Sequence, residues 1–310
     1  AEKNPEVLIT DWITSKQARN ARTATLQKKK ENLNLLSNFY IEEHVKRALA
    51  EDIGFGDITT ENLAEDTDIL TAELNTRSDG VLCGCEVFKT VFRILSSDVE
   101  IKFYFKDGDE IKKGDKIADL KGPAKYLLMG ERVALNYAQR MSGIATETRK
   151  YQNAIGSNKA KIVDTRKTTP CFRAFEKYAV FTGCGHMHRF NLSDCAMIKD
   201  NHIRLAGSIT KAVSKLRDKI SFTHKIEVEC DTFMQVQEAV AAGADIIMLD
   251  NMNCDTMKMA CEYINHRAIV EASGNVNLST VSTIAECGVD IISSSAIVAK
   301  APTLDLGLDM

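Results

Sequence analysis

Two stretches decide the fold: Ile246-Ile247-Met248-Leu249-Asp250-Asn251, and Ala268-Ile269-Val270-Glu271-Ala272-Ser273-Gly274. Each is a short apolar, partly β-branched run that closes abruptly on polar residues, as a strand covered on both faces does. Glu271 follows Asp250 by 21 positions, and Ser293, at the end of Ile291-Ile292, follows Glu271 by 22. That period holds one strand, one helix and two short loops. A helical pattern at 278–287 occupies the second interval, and another at 233–242 precedes the run that ends at Asp250. The same reading upstream finds Ile226 to Val228 closing on Glu229, Ala196-Met197-Ile198 closing on Lys199, and Ile162-Val163 closing on Asp164-Thr165-Arg166-Lys167. Strands alternating with helices imply a parallel sheet, and six such units closing on themselves imply a barrel.

In a barrel the functional groups collect at the C-terminal ends of the strands. This places Arg166, Lys167, Lys199, Glu229, Asp250 and Ser273 around one mouth, and the turn Gly183-Cys184-Gly185-His186-Met187-His188-Arg189 adds two histidines and an arginine. Several cations suit a substrate with more than one carboxylate or phosphate. Two carboxylates among them call for a hard divalent cation or for a transition state that gains positive charge. Phosphate settles where small residues expose backbone N–H groups, which Ser273-Gly274-Asn275 and Ser294-Ser295-Ala296 offer on the last two strands. A zinc site from Cys184, His186 and His188 is disfavoured by its spacing and by the neighbouring Arg189. A cysteine nucleophile is equally unsupported.

The first half reads differently. Residues 1–38 carry seven basic and four acidic side chains and form an extension with helical composition. From Phe39, the stripe Ile41, Val45 and Leu49 marks a helix, and Gly56-Asp57-Ile58-Thr59-Thr60 a turn and a second helix start. Alternating segments at 70–75, 80–83 and 99–105 are strands, with Asp107-Gly108-Asp109 and Lys113-Gly114-Asp115 as turns. The turns between Asp107 and Gly122 resemble those of biotinyl and lipoyl carrier domains, but no displayed lysine in a carrier context follows. A long helical pattern at 126–151 leads into the strand series. The expected organisation is an extension (1–38), an α+β domain (39–146), an α/β barrel (147–300), and a tail (301–310) that packs back on the α+β domain.

With 40 basic and 43 acidic residues the formal charge is -3, so no overall field draws the chain to nucleic acid or to an anionic membrane. No run approaches the ~18 apolar residues of a membrane span, and the N-terminus lacks the order of a signal peptide. Nine cysteines without a repeating spacing suit reduced thiols. The expectation is a soluble cytoplasmic protein with a local anion site.

Several motifs carry a family resemblance. GERVALN from Gly130, QRMSGIAT from Gln139, DTRKTTP from Asp164, EKYAV from Glu176, GCGHMHR from Gly183, IKDNH from Ile198, IEVE from Ile226 and IIMLDN from Ile246 resemble quinolinate phosphoribosyltransferases, over about 41–310. The resemblance implies an α+β sandwich-like N-terminal domain followed by an incomplete, open α/β barrel. It implies that quinolinate and phosphoribosyl pyrophosphate give nicotinate mononucleotide, pyrophosphate and CO2, with Mg2+, in a homodimer whose subunits share active sites. Arg132 then corresponds to an arginine donated across the dimer to a quinolinate carboxylate. Thr165, Arg166, His188, Arg189 and Lys199 correspond to the dicarboxylate pocket, and Lys167 to a contact with the phosphoribosyl donor. Glu229 and Asp250 correspond to the pair that holds the ribose hydroxyls and Mg2+, with Lys167 and Lys199 completing the catalytic set. Ser273, Gly274, Asn275, Ser294, Ser295 and Ala296 correspond to the 5-phosphate loops.

Three positions depart from the family pattern. Asn275 stands where a second glycine is common, Ser295 where a glycine is common, and Met187 where an asparagine is common. The first two raise an expectation of strain if the backbone requires positive φ. A relative acting on another ring acid would be expected to lose part of the Arg166, His188, Arg189 and Lys199 set, which this chain keeps. An inactive binding homologue is the alternative without catalysis.

Overall fold

The structure is a computed structural model that describes residues 36–310; the extension read over 1–38 falls outside the described residues as far as 35. The chain divides into two compact units. One comprises 36–149, Pro170–Cys184 and Ala301–Met310, and the other Lys150–Thr169 and Gly185–Lys300. The segment Pro170–Cys184, read from sequence as part of a continuous 147–300 barrel, groups with the first unit.

In the first unit, α1 (Asn38–Ile53) buries Ile41, Val45 and Leu49, residues four apart on one helix face. Ser37 Oγ accepts the Tyr40 N–H at its start. α2 (Ile58–Leu63) begins at Asp57, whose carboxylate accepts the N–H groups of Thr59 and Thr60 at 3.1 and 2.9 Å. There follow β1 (Ile69–Thr76), β2 (Gly80–Val81), α3 (Cys85–Leu95), β3 (Glu100–Phe103), β4 (Glu110–Ile111) and β5 (Lys116–Pro123). The helix α4 (Ala124–Ile155) is longer at both ends than its sequence pattern, and the division between units falls within it.

The QRMSGIAT run of α4 turns out to be scaffold. Cys83 N–H donates to Ser142 Oγ at 2.9 Å and Val81 N–H to Thr146 Oγ1 at 2.8 Å. Gln139 Nε2 donates to the Leu306 carbonyl at 2.7 Å, and a Cβ on Gly143 would lie 1.9 Å from the Pro302 carbonyl oxygen, so only glycine lets that strand approach. Arg140 donates to the Ala301 carbonyl at 3.1 Å and to Glu176 Oε1 at 2.7 Å. Glu176 lies on α5 (Arg173–Thr182) and is fully buried.

The second unit carries β6 (Lys161–Val163), β7 (Ala196–Ile198), α6 (Asp200–Ala206), α7 (Ile209–Arg217), β8 (Ile226–Cys230), α8 (Phe233–Ala241), β9 (Ile246–Asp250), α9 (Cys254–Ile264), β10 (Ile269–Ser273), α10 (Val281–Ala285), β11 (Ile291–Ser293) and α11 (Ala296–Ala299). All six strands are parallel, in the order β6-β11-β10-β9-β8-β7. The strand periodicity alone suggested closure. The hydrogen bonding does not close: β6 has β11 on one side and a single bridge from Val163 to His186 on the other, while β7 pairs with β8. The barrel is open, as the family pattern implied.

The tail ends in β12 (Leu306–Asp309), antiparallel to β1 at the edge of a sheet ordered β12-β1-β5-β3. None of the nine cysteines is in a disulfide among the described residues, and no helix there is long and apolar enough to cross a membrane.

Candidate active site

The parallel strands end around a cavity of about 610 Å³. Past β6 it is walled by Thr165, Arg166 and Lys167, and the loop after Gly183 contributes His188 and Arg189. Lys199 follows β7, Glu229 lies in β8, and Asp250 ends β9. The far wall is Ser273, Gly274 and Asn275 after β10, with Ser294, Ser295 and Ala296 after β11. Arg132 is exposed on α4 and does not line this cavity.

The local chain chemistry fixes several of these groups. Thr165 Oγ1 accepts the Lys167 N–H at 3.0 Å, which turns the chain sharply after β6. Arg189 donates to the Cys195 carbonyl at 2.9 Å and approaches the Met197 sulfur at 3.4 Å, so its guanidinium is held across the loop. Lys199 and Glu229 form an ion pair. Any anion that takes Lys199 therefore releases Glu229.

Asp250 and Glu229 sit on neighbouring strands and present hard oxygen donors to the same cavity, which suits a divalent cation such as Mg2+. Asn251 donates to Asp250 Oδ2 at 2.8 Å and accepts from Asn275 at 3.0 Å. This ties the Asp250 carboxylate to the loop after β10.

That loop also answers the question of strain. Gly274 has φ 88°, and a Cβ there would come within 2.1 Å of Asn251 Oδ1. Asn275 has φ 51°, in the left-handed region, but asparagine is the non-glycine residue that tolerates it best. Ser295 has φ -74°, so no glycine is needed, and strain expected from that departure is absent. In the second loop the Ser294 N–H is used by the Val163 carbonyl and the Ala296 N–H by Ser294 Oγ at 3.2 Å. A phosphate bound there must take over the Ala296 donor. Met187 is exposed and does not line the cavity, so the third departure leaves the wall unchanged.

Sequence reasoning missed Glu227 and Glu271. Both are buried, and each places a carboxylate oxygen 3.4 Å from His188 Nε2. Burial pushes the His188 pKa down, but the two carboxylates outweigh it and raise it to about 10. Burial pushes the Glu227 carboxyl up. The missed signal was an acid at alternate positions of Ile226-Glu227-Val228-Glu229, since residues two apart on a strand share a face.

Two family descriptions match the chain: the quinolinate phosphoribosyl transferase N-terminal domain over residues 57–142 and the C-terminal domain over 144–309. The chain belongs to the quinolinate phosphoribosyltransferase family. A Bacillus subtilis (strain 168) relative, named "Probable nicotinate-nucleotide pyrophosphorylase (carboxylating)", is 41% identical over 275 residues, 89% of this chain and 95% of the relative. A Synechocystis sp. (strain ATCC 27184 / PCC 6803 / Kazusa) relative of the same name is 43% identical, covering 87% of this chain and 92% of its own length. The solved structure of NadC from Streptococcus pyogenes superposes with a TM-score of 0.86 at 40% identity, covering 89% of this chain and 97% of that one. The quinolinate phosphoribosyltransferase fold and its open barrel are thus present along nearly the whole described chain.

Proposed function

We propose that this chain is the pentosyltransferase of de novo NAD biosynthesis that joins quinolinate to the phosphoribosyl group of phosphoribosyl pyrophosphate. The products are nicotinate mononucleotide, pyrophosphate and CO2. The single observation that carries this reading is one cavity lined by the cations Arg166, Arg189 and Lys199 together with Glu229, Asp250 and two small-residue loops.

The cationic part suits the two adjacent carboxylates of quinolinate, with Arg as a planar fork and Lys as a compact charge. Thr165 and His188 complete that wall. Glu229 and Asp250 face the ribose, where loss of pyrophosphate leaves an oxocarbenium-like centre that fixed carboxylates stabilise. Lys167 offsets charge on the phosphoribosyl donor. Mg2+ held by Glu229 and Asp250, partly through the pyrophosphate, would neutralise the leaving group. The 5-phosphate falls to Ser273, Gly274 and Asn275 and to Ser294, Ser295 and Ala296, which offer backbone N–H groups and hydroxyls. Once the ring nitrogen carries the ribose, its positive charge stabilises the carbanion left by CO2, and no covalent nucleophile is required. The protein's work is positioning and charge.

Arg132, exposed on α4, is assigned by the family resemblance to the cavity of a second copy. The assembly we propose is a homodimer with shared sites, acting in the cytoplasm, with no nucleic-acid or membrane partner. Arg132→Ala should lose quinolinate affinity with its fold intact. When Arg132→Ala subunits are mixed with Asp250→Ala subunits, each heterodimer should regain one competent site and up to about half the parental activity. Verified heterodimers without activity would exclude the shared site.

A further inference from the structure

Two buried carboxylates beside His188 are left unused by the substrate-binding roles, and one of them, Glu271, lines the cavity. Glu227 on β8 is fully buried and Glu271 on β10 is 3% exposed. Neither oxygen of Glu227, nor Oε1 of Glu271, has a hydrogen-bond partner among the described residues, so the 3.4 Å approach of each to His188 Nε2 is an ion-pair contact. β8 and β10 flank β9 in the sheet. The imidazole therefore bridges alternate strands, as the inward side chains of a barrel layer do, but here the layer is charged.

The other side of the residue is held as firmly. The His188 N–H donates to Asp164 Oδ1 at 2.8 Å, and the Arg189 N–H donates to His188 Nδ1 at 2.7 Å. Nε2 faces the two carboxylates and carries a ring proton toward them. Both ring nitrogens are thus engaged within the protein. His188 lines the cavity with both ring nitrogens engaged, and the direct pairing with substrate carboxylates is assigned to Arg166, Arg189 and Lys199.

Buried charged groups are costly to desolvate, and a whole buried set replaced by apolar residues of similar volume is often neutral or stabilising. A chain that keeps two of them beside one imidazole keeps them for what they do to that ring. We infer that Glu227 and Glu271 are positioning residues that fix the His188 ring by its Nε2 edge, making it a rigid wall that sets where the quinolinate ring lies. The inference rests on the quinolinate reading of the cavity, but the state of the ring is measurable without substrate.

The test uses Glu227→Leu and Glu271→Leu in the full chain, with Glu227→Gln and Glu271→Gln as variants that keep an acceptor oxygen. In the ligand-free protein labelled with 15N-histidine, the parent should show His188 holding its Nε2 proton in slow exchange with solvent. The Leu variants should lose that pattern and the Gln variants should alter it less. The Leu variants should show a quinolinate KM raised about tenfold or more with the phosphoribosyl pyrophosphate KM within about twofold. Unchanged His188 signals in both Leu variants would overturn the inference, as would a lowered melting temperature with both KM values unchanged. Altered ring signals in a protein whose parent does not turn over quinolinate would leave the positioning intact and refute the substrate reading instead.

Discussion

Asp250→Ala is expected to lower kcat by about 10²- to 10³-fold, the loss typical when a preorganised group aimed at developing charge is removed, roughly 2.7–4 kcal/mol. The expectation follows from how the carboxylate is held. Asp250 ends β9, its Oδ2 accepts from Asn251 at 2.8 Å, and Asn251 is held in turn by Asn275 at 3.0 Å. The group therefore needs no reorganisation as positive charge builds at the ribose. Quinolinate binding, measured by calorimetry, should stay within about twofold, because its carboxylates are assigned to Arg166, Arg189 and Lys199 and not to Asp250. Asp250→Asn keeps the shape and removes the charge, so it should lose nearly as much. Full activity in Asp250→Asn would show that shape, not charge, is what this position supplies.

The second large effect is on stability. Glu176→Ala should destabilise the fold by about 3–5 kcal/mol, because it leaves a charge without its partner in a buried pair. Glu176 is fully buried with its Oε1 2.7 Å from Arg140, whose side chain is 23% exposed and also holds the Ala301 carbonyl. Denaturant unfolding would show the midpoint fall with an unchanged slope. Replacing both residues by apolar side chains of similar volume should recover most of the loss, since the cost is the orphaned charge and not the missing attraction. A Glu176→Ala midpoint equal to that of the parent would mean that Arg140 reaches solvent when its partner is gone.

These two predictions mark what a sequence can and cannot disclose. The strands from β6 to β11 were legible because each is a short apolar run closing on polar residues at a βα period, and that pattern puts the ends of the strands together. Motif resemblance supplied the roles of the individual residues, since spacing alone cannot tell Lys167 from Lys199. The openness of the barrel was not in the periodicity: it depends on β6 and β7 failing to pair, which is a property of two three-residue strands and of the His186 bridge beside one of them. The grouping of α5 with the first unit was equally hidden, because the partner of Glu176 is Arg140, 36 positions earlier. Glu227 and Glu271 were passed over because an acid inside an apolar strand looks like part of its polar close. Asn275 and Ser295 looked alike as departures from glycine, and only their φ values separate a left-handed position from an ordinary one.

The central claim is that the cavity joins quinolinate to a phosphoribosyl donor and then removes one carboxyl group. The most direct measurement supplies the purified full-length protein with phosphoribosyl pyrophosphate and Mg2+, offers quinolinate or nicotinate in parallel, and follows pyrophosphate and CO2 together. Quinolinate should give both in equal amounts with nicotinate mononucleotide, and nicotinate should give neither at a comparable rate. Pyrophosphate release with nicotinate at the quinolinate rate, or no release with quinolinate, would contradict the account.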